Sequence, residues 1–207
     1  MQLRYQTGLT GEQYVSDEAW REARLDRCPN HPSGECSFAR HGVYERRTPA
    51  GTLIARWYCR ESHQTFSLLP DCLAARLPGT LRRLEEVVAH AEQAPSLMKA
   101  ADQIRRDGVH LAGAMRWVRR RVRLVQRVLR VVIGLLPRQL AGCRVEITAC
   151  RQRLGTETVL VSLRSLTERW LADLAAPLGF RPHGITAGHP DFAHQQHPGP
   201  VGPAADP

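Results

Sequence analysis

The sequence predicts an α+β fold, mostly α: a small N-terminal β unit laid out as a zinc ribbon, followed by a helical domain of about five helices containing a helix-turn-helix. Three observations lead there. Cysteines and histidines flank alternating β-prone segments between Cys28 and Leu73, helical apolar periodicity begins after Pro78-Gly79, and arginines crowd one of the helical segments.

With 207 residues the chain suffices for one compact domain or two small ones. It contains no run of about 18 uncharged apolar residues, and MQLRYQTGLTGEQY lacks the apolar centre of a secretory signal. A soluble cytoplasmic protein without a membrane partner is therefore expected. Six cysteines in a reducing compartment would remain thiols, open to a metal rather than to a disulfide framework. The formal charge of +9 points to a polyanionic partner, and its placement says more than its size. Ten basic and two acidic residues lie between Leu97 and Val131. Nearly all the basic residues are arginine, the side chain suited to bidentate contacts with phosphate and guanine.

Residues 1–27 read as a polar arm, with DEAWREARLDR as a short helix starting near Ser16 and anchored by Trp20. GVYERRT, a turn at PAG, TLIARWYC and then TFSLL read as a hairpin plus a third strand. After Thr80, a capping residue, the breakers mark the helices. LRRLEEVVAHAEQA ends at Pro95, SLMKAADQIRR runs from Ser96 to Asp107-Gly108, and a long helix spans His110 to Ile133. CRVEITACRQRL, up to Gly155, and ETVLVSLRSLTERWLADLA, up to Pro177, complete the set. The divisions are a 28–73 ribbon, an 80–179 helical domain with the helix-turn-helix at 96–133, and a 180–207 tail rich in Pro, Gly and His. The tail has too few large apolar residues to offset its ordering entropy and is expected to be disordered.

A structural zinc takes four thiolate or imidazole ligands, usually as two close pairs that a fold brings together. Cys59 and His63 form one pair; CPNHPSGEC supplies Cys28, His31 and Cys36 for the other. Cys28, Cys59 and His63 are the favoured ligands, and His31 and Cys36 compete for the fourth position. A β unit of this size lacks a core sufficient to hold it, which a zinc worth roughly 10–16 kcal/mol in small modules would supply. The alternative is that the histidines are surface residues and the cysteines small buried hydrophobes. Cys72, Cys143 and Cys150 have no partners at ligand spacing and read as packing residues.

SLMKAADQIRRDGVHLAGAMRWVRRR has the pattern of a helix-turn-helix: small residues Ala100 and Ala101, a Gly-containing turn, then a second helix with small residues on its first turn. In such a unit the start of the second helix faces base edges of double-stranded DNA, placing His110, Arg116, Arg119 and Arg120 nearest, with Arg123 and Arg127 on phosphates. The same helix carries a heptad seam, Leu111, Met115, Val118, Val122, Val125 and Leu129, which would make a homodimer interface or dock a partner helix. A protein–protein adaptor using that seam and the arginine face is the rival to DNA binding.

Catalysis is not expected. The carboxylates after residue 80 lie on predicted helices with no strands to converge them around metal ions, and the chain has no GxxxxGK[ST], GxGxxG or GxSxG motif.

HG-V-Y-E-R at His41 to Arg46, R-W-Y-C at Arg56 to Cys59 and TFSLLP at Thr65 to Pro70, after the Cys28 knuckle, together resemble the N-terminal zinc ribbon of bacterial insertion-element transposases. RWVRRR at Arg116 to Arg121 is similar to the helix-turn-helix that follows in them. Those transposases usually pair cysteine with cysteine in both knuckles and continue into a catalytic domain, whereas here His31 and His63 stand in the knuckles and the chain proceeds into helices. The resemblance implies a nucleoid-associated DNA-binding factor of a mobile element, a targeting or regulatory protein without the chemistry.

Overall fold

The structure is a computed structural model that describes residues 1–106 and 113–180. Four strands form one sheet: β1 (Gln2–Tyr5), β2 (Phe38–Arg46), β3 (Thr52–Cys59) and β4 (Gln64–Pro70), in the order β1-β4-β3-β2. The hairpin and third strand occur where the alternation predicts them. β2 and β3 pair antiparallel, as do β3 and β4. One extra residue between Arg40 and Val43 bulges β2, and Gly42 at φ +84° takes the left-handed backbone that such a bulge uses.

The first residues do more than the expected polar arm. β1 lies parallel to β4, with Gln2 opposite Ser67 and Tyr5 opposite Pro70, and closes that edge of the sheet. The helix lies ahead of the expected one: a reciprocal capping box between Thr10 and Gln13 starts α1 (Gly11–Ser16), and residues 17–22 of DEAWREARLDR form turns instead of a helix. α1 ends as the backbone turns left-handed at Glu18. Tyr14, on α1, is buried and donates its hydroxyl to the Leu53 carbonyl at 2.9 Å; Trp20 packs beside it as an anchor.

The helices are α2 (Leu81–Gln93), α3 (Leu97–Arg106), α4 (Ala114–Leu135), α5 (Pro137–Leu140), α6 (Ile147–Leu154) and α7 (Val159–Leu166), with a 3-10 turn at Glu168–Trp170. Pro137 at the start of α5 separates it from α4, and Gly155 at φ +61° closes α6 in the left-handed C-cap geometry. α6 starts at Ile147, later than Cys143, because Glu92 of α2 accepts hydrogen bonds there from the Ile147 and Thr148 amides at 2.8 and 3.0 Å. Two turns earlier on α2, buried Glu85 accepts from the Leu160 amide at 3.0 Å and from Arg151 at 2.9 Å. Two carboxylates of one helix thus cover the orphan amides of two others, a pairing that charge and helix dipole both favour.

Sheet and helices share a core. Ile54, Phe66 and Leu69 belong to the same buried cluster as Val88, Leu129, Leu140 and Leu160. Arg164 on α7 is fully buried in it without a carboxylate hydrogen-bond partner; its guanidinium donates instead to the carbonyls of Leu73 (2.7 Å), Asp71 (3.0 Å), Pro177 (2.7 Å) and Leu178 (3.1 Å). A second small cluster joins Val87 of α2, Ala101 and Ile104 of α3, and Ala114 and Val118 of α4. The small side chains of Ala101 and Ala114 let α3 and α4 approach closely. The expected turn at Asp107-Gly108, the start of the long helix at His110 and the 181–207 part of the tail lie outside the described residues.

Candidate metal centre and cationic helix face

Four of the five predicted ligands converge. The ligand atoms of Cys28, His31, Cys36 and Cys59 all lie within 4.8 Å of one another, a group that could hold a metal ion. His31 Nδ1 is 3.5 Å from Cys28 Sγ and 3.4 Å from Cys59 Sγ.

Local backbone chemistry builds each knuckle. The Cys28 carbonyl accepts from the His31 amide at 3.1 Å, folding the first knuckle tightly, and Gly34 at φ +95° turns the chain so that Cys36 comes back to it. Antiparallel pairing of Phe38 with Cys59 then sets Cys36, two residues ahead of Phe38, beside the end of β3. Cys59 is buried there, its side chain on the inner side of the sheet. Glu61 straps the two chain segments together: its carboxylate accepts from the Ser37 amide at 2.9 Å and lies 3.6 Å from Cys59 Sγ. That amide bond holds the Glu61 carboxyl below its usual range.

His63 does not join the cluster. The turn after β3 places it at φ +50°, exposed, with Nδ1 3.1 Å from the Tyr58 hydroxyl. Tyr58 precedes Cys59 on the strand and points to the opposite face, so the C-x3-H spacing carries the imidazole away from the thiol. His31 and Cys36 both occupy the cluster rather than competing for a place in it.

The thiols interact with one another. For Cys59, burial opposes ionisation, but hydrogen bonds from Ser62, Cys28 and Cys36 outweigh it and lower the thiol to about 7. Burial and hydrogen bonding to its two neighbours push Cys36 up to about 12. Three thiols and one imidazole make a set of four, the number and ligand type that structural metal sites use.

The second candidate feature is α4. Its 22 residues include seven arginines and no acidic residue. Arg116, Arg119, Arg120, Arg123 and Arg127 are exposed, and among the described residues no carboxylate pairs with them. A groove of 560 Å³ runs between the N-terminal half of α4 and the Arg76–Pro78 turn, and a second of 310 Å³ continues it past Arg119, Arg123 and Arg127. Arg121 is the exception: it stacks on Trp117 at 3.4 Å from the ring centroid, and burial followed by repulsion from Arg120 lowers it to about 10.

The heptad seam is used within the chain. Val118, Val125 and Leu129 are fully buried against the other helices, Val122 is half-buried and Met115 is exposed. Leu111, like His110, lies outside the described residues. Periodicity alone marks an apolar stripe and does not say which element covers it. In the β unit, Arg46 is likewise committed, donating to the Ala74 and Leu77 carbonyls, and Arg40 to those of Trp20 and Arg21.

Among the described residues no helix is long and apolar enough to cross a membrane. No family model, curated protein or solved structure matches this chain.

Proposed function

We propose that this protein is a zinc-containing DNA-binding factor, in which a structural zinc on Cys28, His31, Cys36 and Cys59 holds the β unit and α4 binds the double helix. The observation that carries the DNA reading is the arginine face of α4, exposed and, among the described residues, without a carboxylate to neutralise it. Like charges three and four residues apart repel on a helix, so such a face is stable at a cost that an anionic partner removes. Repeating phosphates along a duplex offer that partner, and a bare helix face fits a major groove. Arg116, Arg119 and Arg120 near the start of α4 would approach base edges, and Arg123 and Arg127 the backbone.

Zinc is the ion that three thiolates and an imidazole at this spacing suit best. The association with a mobile element, and with it a nucleoid location, rests on the resemblance of the Cys28–Leu73 segment to transposase ribbons. The adaptor reading is weaker, because the seam that would dock a partner is largely filled by this chain's own helices.

Selection of bound duplexes from a random pool tests the proposal. A DNA reader enriches particular sequences, and its affinity for them falls with salt at a log–log slope of roughly −0.9 per phosphate contacted. Loss of this binding in Arg116→Ala and Arg120→Ala is expected. Unchanged binding in both variants, or enrichment of no sequence, contradicts it.

A further inference from the structure

Two thiols that lie outside the metal group are also in contact. Cys143 Sγ and Cys150 Sγ are 3.7 Å apart, both free, and seven residues separate them in the chain. Their positions differ in a way that matters for chemistry. Cys150 is fully buried on α6, whereas Cys143 is half-buried on the loop between α5 and α6, just after Gly142 in a left-handed backbone.

We propose that Cys143 and Cys150 form a redox modification site, at which a small-molecule disulfide such as oxidised glutathione converts the pair to an intramolecular disulfide. A disulfide needs a separation of about 2.05 Å, so the sulfurs must close by roughly 1.7 Å. That movement falls on the loop that carries Cys143, since α6 is fixed at its start by Glu92.

The order of events follows from exposure. Cys143 loses its proton to solvent and its thiolate attacks one sulfur of the small disulfide; one thiolate leaves and takes up a proton. Cys150 then attacks Cys143 Sγ and gives up its proton, and the second small thiol leaves with it. Two protein thiols are oxidised by two electrons, and one small disulfide becomes two thiols. Burial and the hydrogen bond with Cys143 push the Cys150 thiol up to about 12, so Cys150 reacts second and slowly, its proton passing to the departing small thiolate as its own thiolate attacks. The metal-cluster cysteines are kept out of this exchange when a metal holds them as ligands, and buried Cys72 has no thiol partner among the described residues.

The test uses the full, metal-loaded chain in glutathione buffers of increasing oxidised fraction, followed by alkylation and peptide mapping. Wild type is expected to lose two titratable thiols and yield a cross-linked peptide containing Cys143 and Cys150. Cys143→Ser, a change at the more exposed position, should yield no cross-link and leave Cys150 alkylatable. Cys150→Ala should leave Cys143 carrying a single glutathione. The proposal is overturned if wild type shows no cross-link across the series, or if Cys143 accumulates as the glutathione adduct while Cys150 stays a thiol. Neither readout depends on DNA binding.

Discussion

His31 Nδ1 stands 3.4 Å from Cys59 Sγ, across 28 residues of sequence. That approach joins the two knuckles, since the same nitrogen is 3.5 Å from Cys28 Sγ.

Metal uptake at this group has to displace protons, because thiolates, not thiols, are ligands. The Cys36 thiol, pushed up to about 12 by burial and its thiol neighbours, is still protonated at pH 8, while Cys59, lowered to about 7 by hydrogen bonds that overcome its burial, is largely ionised there. Zinc binding at pH 8 should thus release protons, and lowering the pH to 6 should add the Cys59 proton to those released and weaken apparent affinity. Calorimetry in buffers of different ionisation enthalpy reads both effects. An affinity independent of pH over that range would contradict the thiol assignment.

Arg164 ties α7 to the end of β4 and to the Pro177–Leu178 segment through backbone carbonyls alone. Replacing it with Met fills the volume but leaves several buried carbonyls without donors, each costing roughly 1–3 kcal/mol. Arg164→Met is expected to destabilise the protein by about 4 kcal/mol in denaturant unfolding of the zinc-loaded form, a loss of the size that buried networks give. Arg164→Lys, with fewer donors and no planar fork, should recover only part of that loss. A loss under about 1 kcal/mol would show that the carbonyls find other partners.

Arg123 has Arg119, Arg120 and Arg127 as its helical neighbours three and four residues away. Each like-charge pair costs about 0.2–0.5 kcal/mol when exposed. Arg123→Ala should therefore raise stability by about 0.5 kcal/mol at low salt, an increment that shrinks as salt screens the repulsion, and should weaken duplex binding. Thermal unfolding at two ionic strengths checks the first half. A destabilised variant would mean that Arg123 serves the fold rather than a partner.

Much of the fold is legible in the sequence because its cues are local. The hairpin alternation, Thr80 before α2 and the Pro and Gly breakers between helices act within a few residues of where they appear. What is not legible depends on contacts far along the chain. Gln2–Tyr5 becomes a strand through pairing with residues 67–70, and Arg164 looks like an ordinary surface arginine until the carbonyls around it are assembled. The candidate site divides in the same way. Spacing draws attention to all five potential ligands, but only the Phe38–Cys59 register and the strand face decide that Cys36 enters and His63 leaves. Cys143 and Cys150, seven residues apart with a loop between them, offer no spacing signal at all.

Whether Cys28, His31, Cys36 and Cys59 together hold one zinc is decided by the metal content of the two histidine variants. Elemental analysis of purified wild type should give about one zinc per chain, retained in His63→Ala and lost or sharply reduced in His31→Ala and Cys59→Ser, with a matching loss of folded β unit. Zinc retained in His31→Ala and lost in His63→Ala, or no zinc in wild type refolded with it, would contradict the four-ligand site.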